Sequence, residues 1–126
     1  MNTLSRFLCI SGAIFLMLAL QLGAYGSHGL EGTLSAAKLK SWELAVQYQF
    51  YHSLGLILLG LLYQTLQRPA LLKWAAWIML AGMLVFSGSI YATILGAPEI
   101  IGETTPSGGS ALMLAWLLTA IAVWKS

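Results

Sequence analysis

Apolar residues run almost unbroken through four stretches of this chain, and the charged residues gather between them. Phe7 to Ser27 carries no Asp, Glu, Lys or Arg over 21 residues, Leu44 to Gln67 none over 24, Trp74 to Pro98 none over 25, and Thr104 to Trp124 none over 21. Crossing a hydrocarbon layer ~30 Å thick takes ~20 helical residues, at 1.5 Å each. The pattern therefore predicts four membrane-spanning helices, over about residues 4–25, 43–66, 71–95 and 106–124. The alternation of period two that marks a membrane barrel is absent. With such short connections the expected architecture is all-α: one transmembrane domain, an integral membrane four-helix bundle.

The punctuation between the stretches fits this reading. "GAYGSHGLEG" places Gly23, Gly26, Gly29 and Gly32 three apart around His28, which predicts an irregular, glycine-rich outer loop. Ser35 is a candidate N-cap for a short interfacial helix leading into the second span. Gln67, Arg68 and Pro69 mark a tight turn on the other side. Thr105 followed by Pro106 reads as a cap with proline at the first helical position. Small residues spaced by four form faces on three spans: Ala19 and Gly23; Gly88, Ala92 and Gly96; Ala111, Ala115 and Thr119. Such faces let backbones approach closely in lipid, where packing replaces the hydrophobic effect as the driving force.

The second span departs from the others. Its first part reads "QYQFYHS", Gln47 to Ser53, and Leu54 to Leu66 alone is too short to cross, so part of this polar segment lies in the bilayer. At ~100° per residue, Glu43, Gln47 and Tyr51 share one side, Tyr48 and His52 a second, and Gln49 and Ser53 a third. A polar group in hydrocarbon must be satisfied by protein. The candidate polar cluster is therefore His28, Glu43, Gln47, Tyr48, Gln49, Tyr51 and His52, with the glycine-rich loop as its expected lid.

Charge adds direction. Only 8% of the residues are charged, far below the ~25% of a soluble domain. Both termini fall on one side together with Arg6, Arg68, Lys73 and Lys125; Lys38, Lys40 and all four acidic residues fall on the other. Basic loops resist translocation, so both termini are expected in the cytoplasm. Trp42, Trp74, Trp77 and Trp124 stand near expected helix ends, where indole rings prefer the interface. Arg6 followed by an apolar run and small residues near Ala24 has the form of a signal peptide, but the run is read as a retained helix. Cys9 is the only cysteine, so no intramolecular disulfide forms. A net charge of +2 without a basic stripe gives nucleic acid no footing.

The chemistry these residues offer is limited. His28 and His52, with Glu31, Glu43 and Tyr48 nearby, suggest a metal or haem site only weakly, because no His-x-x-x-His or Cys-x-x-Cys spacing supports one. The glycine run follows a helix and lacks a Gly-Lys-Ser, so it is not a phosphate loop. No Ser-His-Asp set or deep carboxylate points to hydrolysis. The expectation is a non-enzymatic protein without cofactor, partnered by the lipid bilayer and by a second copy or another membrane protein. The alternative is a small transporter or ligand-binding protein with an outer pocket at His28, Tyr48, Gln49 and His52.

"GAYGSHGL", "W..AVQYQFYH", "FSGSIY" and "TPSGG" followed by Trp116 resemble a family of small inner-membrane proteins typified by the bacterial YgdD and YwdK proteins, with a eukaryotic relative. The resemblance covers nearly the whole chain and implies a multi-helix protein of bacterial cytoplasmic membranes. It implies no catalytic residues. Ser107 stands where the family pattern usually has an apolar residue, and the loop before Thr104 is unusually acidic.

Overall fold

A computed structural model describes residues 1–30 and 32–126. Five helices follow one another: α1 (Thr3–His28), α2 (Ala36–Thr65), α3 (Ala70–Ile94), the single turn α4 (Glu99–Gly102) and α5 (Thr105–Lys125). No strand occurs among the described residues. The four long helices are each apolar and long enough to cross a membrane. Contacts run α1 on α2, α2 on α3 and α3 on α5, each pair antiparallel, so α2 and α3 are central and α1 and α5 flank them.

Three boundaries differ from the sequence reading. The expected glycine loop is helical as far as His28, because Gly26 packs against the Trp42 ring instead of turning the chain. The interfacial helix and the second span form one continuous α2, since nothing between Ser35 and Thr65 breaks the helix. Ser35 caps it as expected, accepting from the Lys38 amide at 3.2 Å. At α5 the cap position moves back one residue: Thr104 stands there but its hydroxyl donates to the Ile101 carbonyl at 2.6 Å and caps no α5 amide, and the Thr105 hydroxyl meets that of Ser89 on α3.

The C-terminal ends of α2 and α3 are closed by left-handed residues. At the end of α3, Gly96 takes φ +114°, and the Ala97 amide bonds back to the Ala92 carbonyl at 2.8 Å. Gly96 therefore ends α3 and does not extend its packing face. The same closure ends α2 without glycine: Gln67 and Arg68 both have φ near +60°, and the Arg68 amide reaches the Tyr63 carbonyl at 2.7 Å. A side chain in that region costs about 1 kcal/mol or more.

The α1–α2 interface repeats every seven residues. Ser5, Gly12, Ala19 and Gly26 are all buried along α1, facing Gly60, Ser53 and Trp42 of α2. Small residues bring the backbones together: a Cβ at Gly12 would stand 2.6 Å from the Ser53 carbonyl oxygen. Ser5 is fully buried and its hydroxyl finds no partner among the described residues. An unpaired hydroxyl contributes nothing favourable. Ser5→Ala is therefore expected to leave stability unchanged or raise it by up to about 1 kcal/mol in detergent unfolding. A loss of that size would mean the hydroxyl has a partner in the membrane.

Candidate functional site

The polar segment of α2 divides by helix face. Gln49, His52 and Ser53 are buried; Tyr48 is half-buried; Glu43, Gln47 and Tyr51 are exposed, Tyr51 by 55%. The buried set is satisfied from three other helices. The Gln49 amide donates from Nε2 to the Phe15 carbonyl of α1 at 2.9 Å. Its Oε1 accepts from the Tyr91 hydroxyl of α3 at 2.7 Å. Ser53 donates back to the Gln49 carbonyl at 2.5 Å. One side chain thus ties three spans together.

His52 sits among aromatic rings. Its Nδ1 lies 2.7 Å from the Tyr48 carbonyl, and its Nε2 lies 3.1 Å from Trp116 Nε1 of α5. A carbonyl only accepts and an indole N–H only donates. The ring is therefore the neutral tautomer with its proton on Nδ1. Tyr48 stacks on Phe86 with centroids 4.7 Å apart, closing the other side.

Further along, Trp42 is 1% exposed and donates from Nε1 to the Leu22 carbonyl at 2.9 Å. It packs against Tyr91 and Tyr25. Trp42 is a core residue, in contrast to the interfacial anchor expected; Trp74 and Trp124 do stand exposed, at 60% and 88%. Ser87 of α3 donates to the Ala45 carbonyl at 2.8 Å.

The expected lid is not what shelters these groups. His28 ends α1 exposed, and both ring nitrogens of His52 are taken by Tyr48 and Trp116. The shelter comes from α1, α3 and α5. Glu31, weighed beside His28 as a ligand, lies outside the described residues.

The small-residue faces have unequal fates. Ala19 is buried against α2 and Ala115 is buried in the core with Ala111 beside Gly82. Gly23 touches only Val46, at the edge of a groove on the α1–α2 surface of about 460 Å³ that Gln47 and Glu43 also line. Gly88 meets no atom within 4 Å of an added Cβ, and Ala92 is half-buried beyond it. Gly88 faces a second cleft, about 450 Å³, between α1 and α3. The closest helix contact uses residues that four-residue spacing did not reveal, Gly82 and Gly108, where an added Cβ at Gly108 would lie 2.5 Å from the Phe86 amide nitrogen. Their signal was a glycine at buried registers of two spans that must pair.

The fold and its internally satisfied polar network define a small four-span membrane protein. Residues 22–109 match the family described as a protein of unknown function, DUF423. The chain is 40% identical over 120 residues to a UPF0382 membrane protein of Staphylococcus haemolyticus, covering 95% of this chain and 97% of that one. It is 42% identical over 116 residues to a relative of the same name in Staphylococcus epidermidis, covering 92% and 93%. To the UPF0382 membrane protein YwdK of Bacillus subtilis it is 40% identical over 116 residues, covering 92% and 94%. The chain belongs to this family of membrane proteins, as the quoted motifs indicated. No solved structure matches it.

Proposed function

We propose that the protein is a non-enzymatic membrane component that works as a homo-oligomer, joined through the α1–α2 groove. The observation that carries this reading is the exposure of Gln47. It lies eighteen residues from Thr65, hence ~27 Å along α2, just inside a layer ~30 Å thick. An amide facing hydrocarbon there is costly. The groove beside it is lined by Gly23, Ala24 and Ser27, small enough for a helix to approach. A glutamine amide both donates and accepts. A second copy related by a two-fold axis along the membrane normal brings Gln47 to its equivalent with two reciprocal hydrogen bonds. Glu43, one turn nearer the water, then sits at the rim.

Gln47→Leu is expected to weaken self-association about threefold or more, since interhelical polar contacts in membranes contribute about 0.6 kcal/mol or more. Energy transfer between labelled copies in vesicles reads this directly. With Cys9 replaced by Ser, Gln47→Cys is expected to crosslink between copies in native membranes, whereas Leu117→Cys on α5 is not. A monomer in every membrane condition overturns the reading. A stable complex with an unlike protein at Gln47, and none with itself, replaces it with an accessory-subunit role. The reading also keeps both termini in the cytoplasm of a bacterial cell, which cysteine labelling at Asn2 and Thr104 from the two sides of the membrane tests.

A further inference from the structure

The cleft between α1 and α3 has a different character from the groove used above. Its walls are Phe15, Leu18 and Leu22 of α1 and Met83 and Leu84 of α3, with Gly88 leaving one side bare. Among its described lining residues the deep polar groups are those of Gln49, Tyr91 and Ser87. All three are already engaged: Gln49 at both ends, Tyr91 to Gln49 and Ser87 to Ala45. Both hydroxyl protons are thus already donated, and almost all of the cleft's accessible lining is apolar, which disfavours a polar solute or a chain of water.

Length separates the remaining occupants. Phe15 and Tyr25 are ten residues apart, ~15 Å of helix, which is half of a ~30 Å hydrocarbon layer. A partner helix would need a groove continuing through the full layer. Here the α1–α3 gap is bridged towards the termini by Phe7 against Trp77, with ring centroids 5.4 Å apart. A hydrocarbon chain from one leaflet needs only half the layer. At the mouth, nearer the loop end, stand Gln21 and Tyr25, both exposed. Gln21 stands at about the depth of Gln47 and needs a partner in the same way; the ester carbonyls of a lipid in that leaflet supply one.

We infer that this cleft is a binding site for one acyl chain of a glycerophospholipid, entering from the leaflet on the side of the α1–α2 loop, with its ester region at Gln21 and Tyr25. The site is independent of Gln47, which lies on the other surface of the α1–α2 pair.

The test uses the full chain in vesicles of phosphatidylglycerol and phosphatidylethanolamine doped with a phosphatidylglycerol carrying a mid-chain diazirine. After illumination, adducts are mapped by mass spectrometry. Adducts are expected to concentrate on Leu18, Leu22 and Leu84, severalfold above the exposed Leu58 and Leu117. Gly88→Leu projects a side chain into the cleft from a position with free space, and should cut the cleft adducts threefold or more. Gly88→Ser, a smaller intrusion that spares the fold if leucine does not, should cut them by less. Crosslinking through Gln47→Cys should be unchanged in both, so loss of the lipid site and loss of self-association are read separately. Adducts spread evenly over all lipid-facing leucines, or cleft adducts indifferent to both Gly88 variants, overturn the inference.

Discussion

Gly108→Ala should be among the most damaging single-methyl additions in this protein, while Gly109→Ala, one residue on, should be harmless. At Gly108 the new Cβ would stand 2.5 Å from the Phe86 nitrogen, 2.9 Å from its Cα and 3.0 Å from the Gly82 carbonyl oxygen. All three are backbone atoms of α3 and cannot rotate away, so α5 must lift off α3. That movement would also pull apart the contacts of Leu112 with the core and of Thr105 with Ser89. Overpacking typically costs 1–3 kcal/mol where side chains can adjust; against backbone, about 3 kcal/mol or more is expected. At Gly109 the nearest atoms are carbons of the Phe86 ring at 3.7 and 3.8 Å, ordinary contact distances. Alanine there fills space and suits a helix better, so stability should hold or rise by up to about 1 kcal/mol. Thermal unfolding of both variants in the same detergent decides the matter. Equal behaviour would mean that α3 and α5 are not held at this separation.

The spans were legible because hydrocarbon thickness dictates their length, and charge-free runs report that length almost directly. The architecture followed with little further information. The site was legible only in part, and the reason lies in what spacing encodes. "QYQFYHS" announced that polar groups enter the bilayer, and Gln49 and His52 are indeed enclosed by protein. Which helices enclose them depends on registry between spans, and nothing local to Gln49 names Phe15 or Tyr91 as its partners. The glycines misled for a related reason. Gly26 looks like a loop residue, but glycine serves a close approach as readily as a turn, and here it makes room for Trp42. The seven-residue repeat of Ser5, Gly12, Ala19 and Gly26 was present in the sequence, whereas attention to four-residue pairs selected Ala19 and Gly23 and missed the rest. Trp42 shows the same ambiguity for aromatics: a position near a helix end suits an interface anchor, but its N–H found a helix carbonyl, and that decided in favour of the core.

Removing the side-chain amide at Gln49 tests the idea that one residue fastens three spans. Gln49→Leu keeps much of the volume and loses both hydrogen bonds. The Phe15 carbonyl is an ordinary helix carbonyl and keeps its place in the α1 ladder, so its loss is modest. The Tyr91 hydroxyl is the costly remnant, left half-buried without its acceptor. A stranded polar group of this kind costs about 1–3 kcal/mol, and the membrane sets the lower part of that range, since spans that have separated find other partners. Tyr91→Phe, in turn, strands the Gln49 carbonyl oxygen and should cost a comparable amount. The double variant Gln49→Leu with Tyr91→Phe strands neither partner of that bond. It should therefore be more stable than the two single losses added together, by about 1 kcal/mol. A double-mutant cycle in steric-trapping or detergent unfolding measures that difference. Strict additivity would show that Gln49 and Tyr91 do not share a bond in the bilayer, and α3 would then be held to α2 by packing, by the Ser87 hydroxyl and by the contact of Ser53 with the Met83 sulfur.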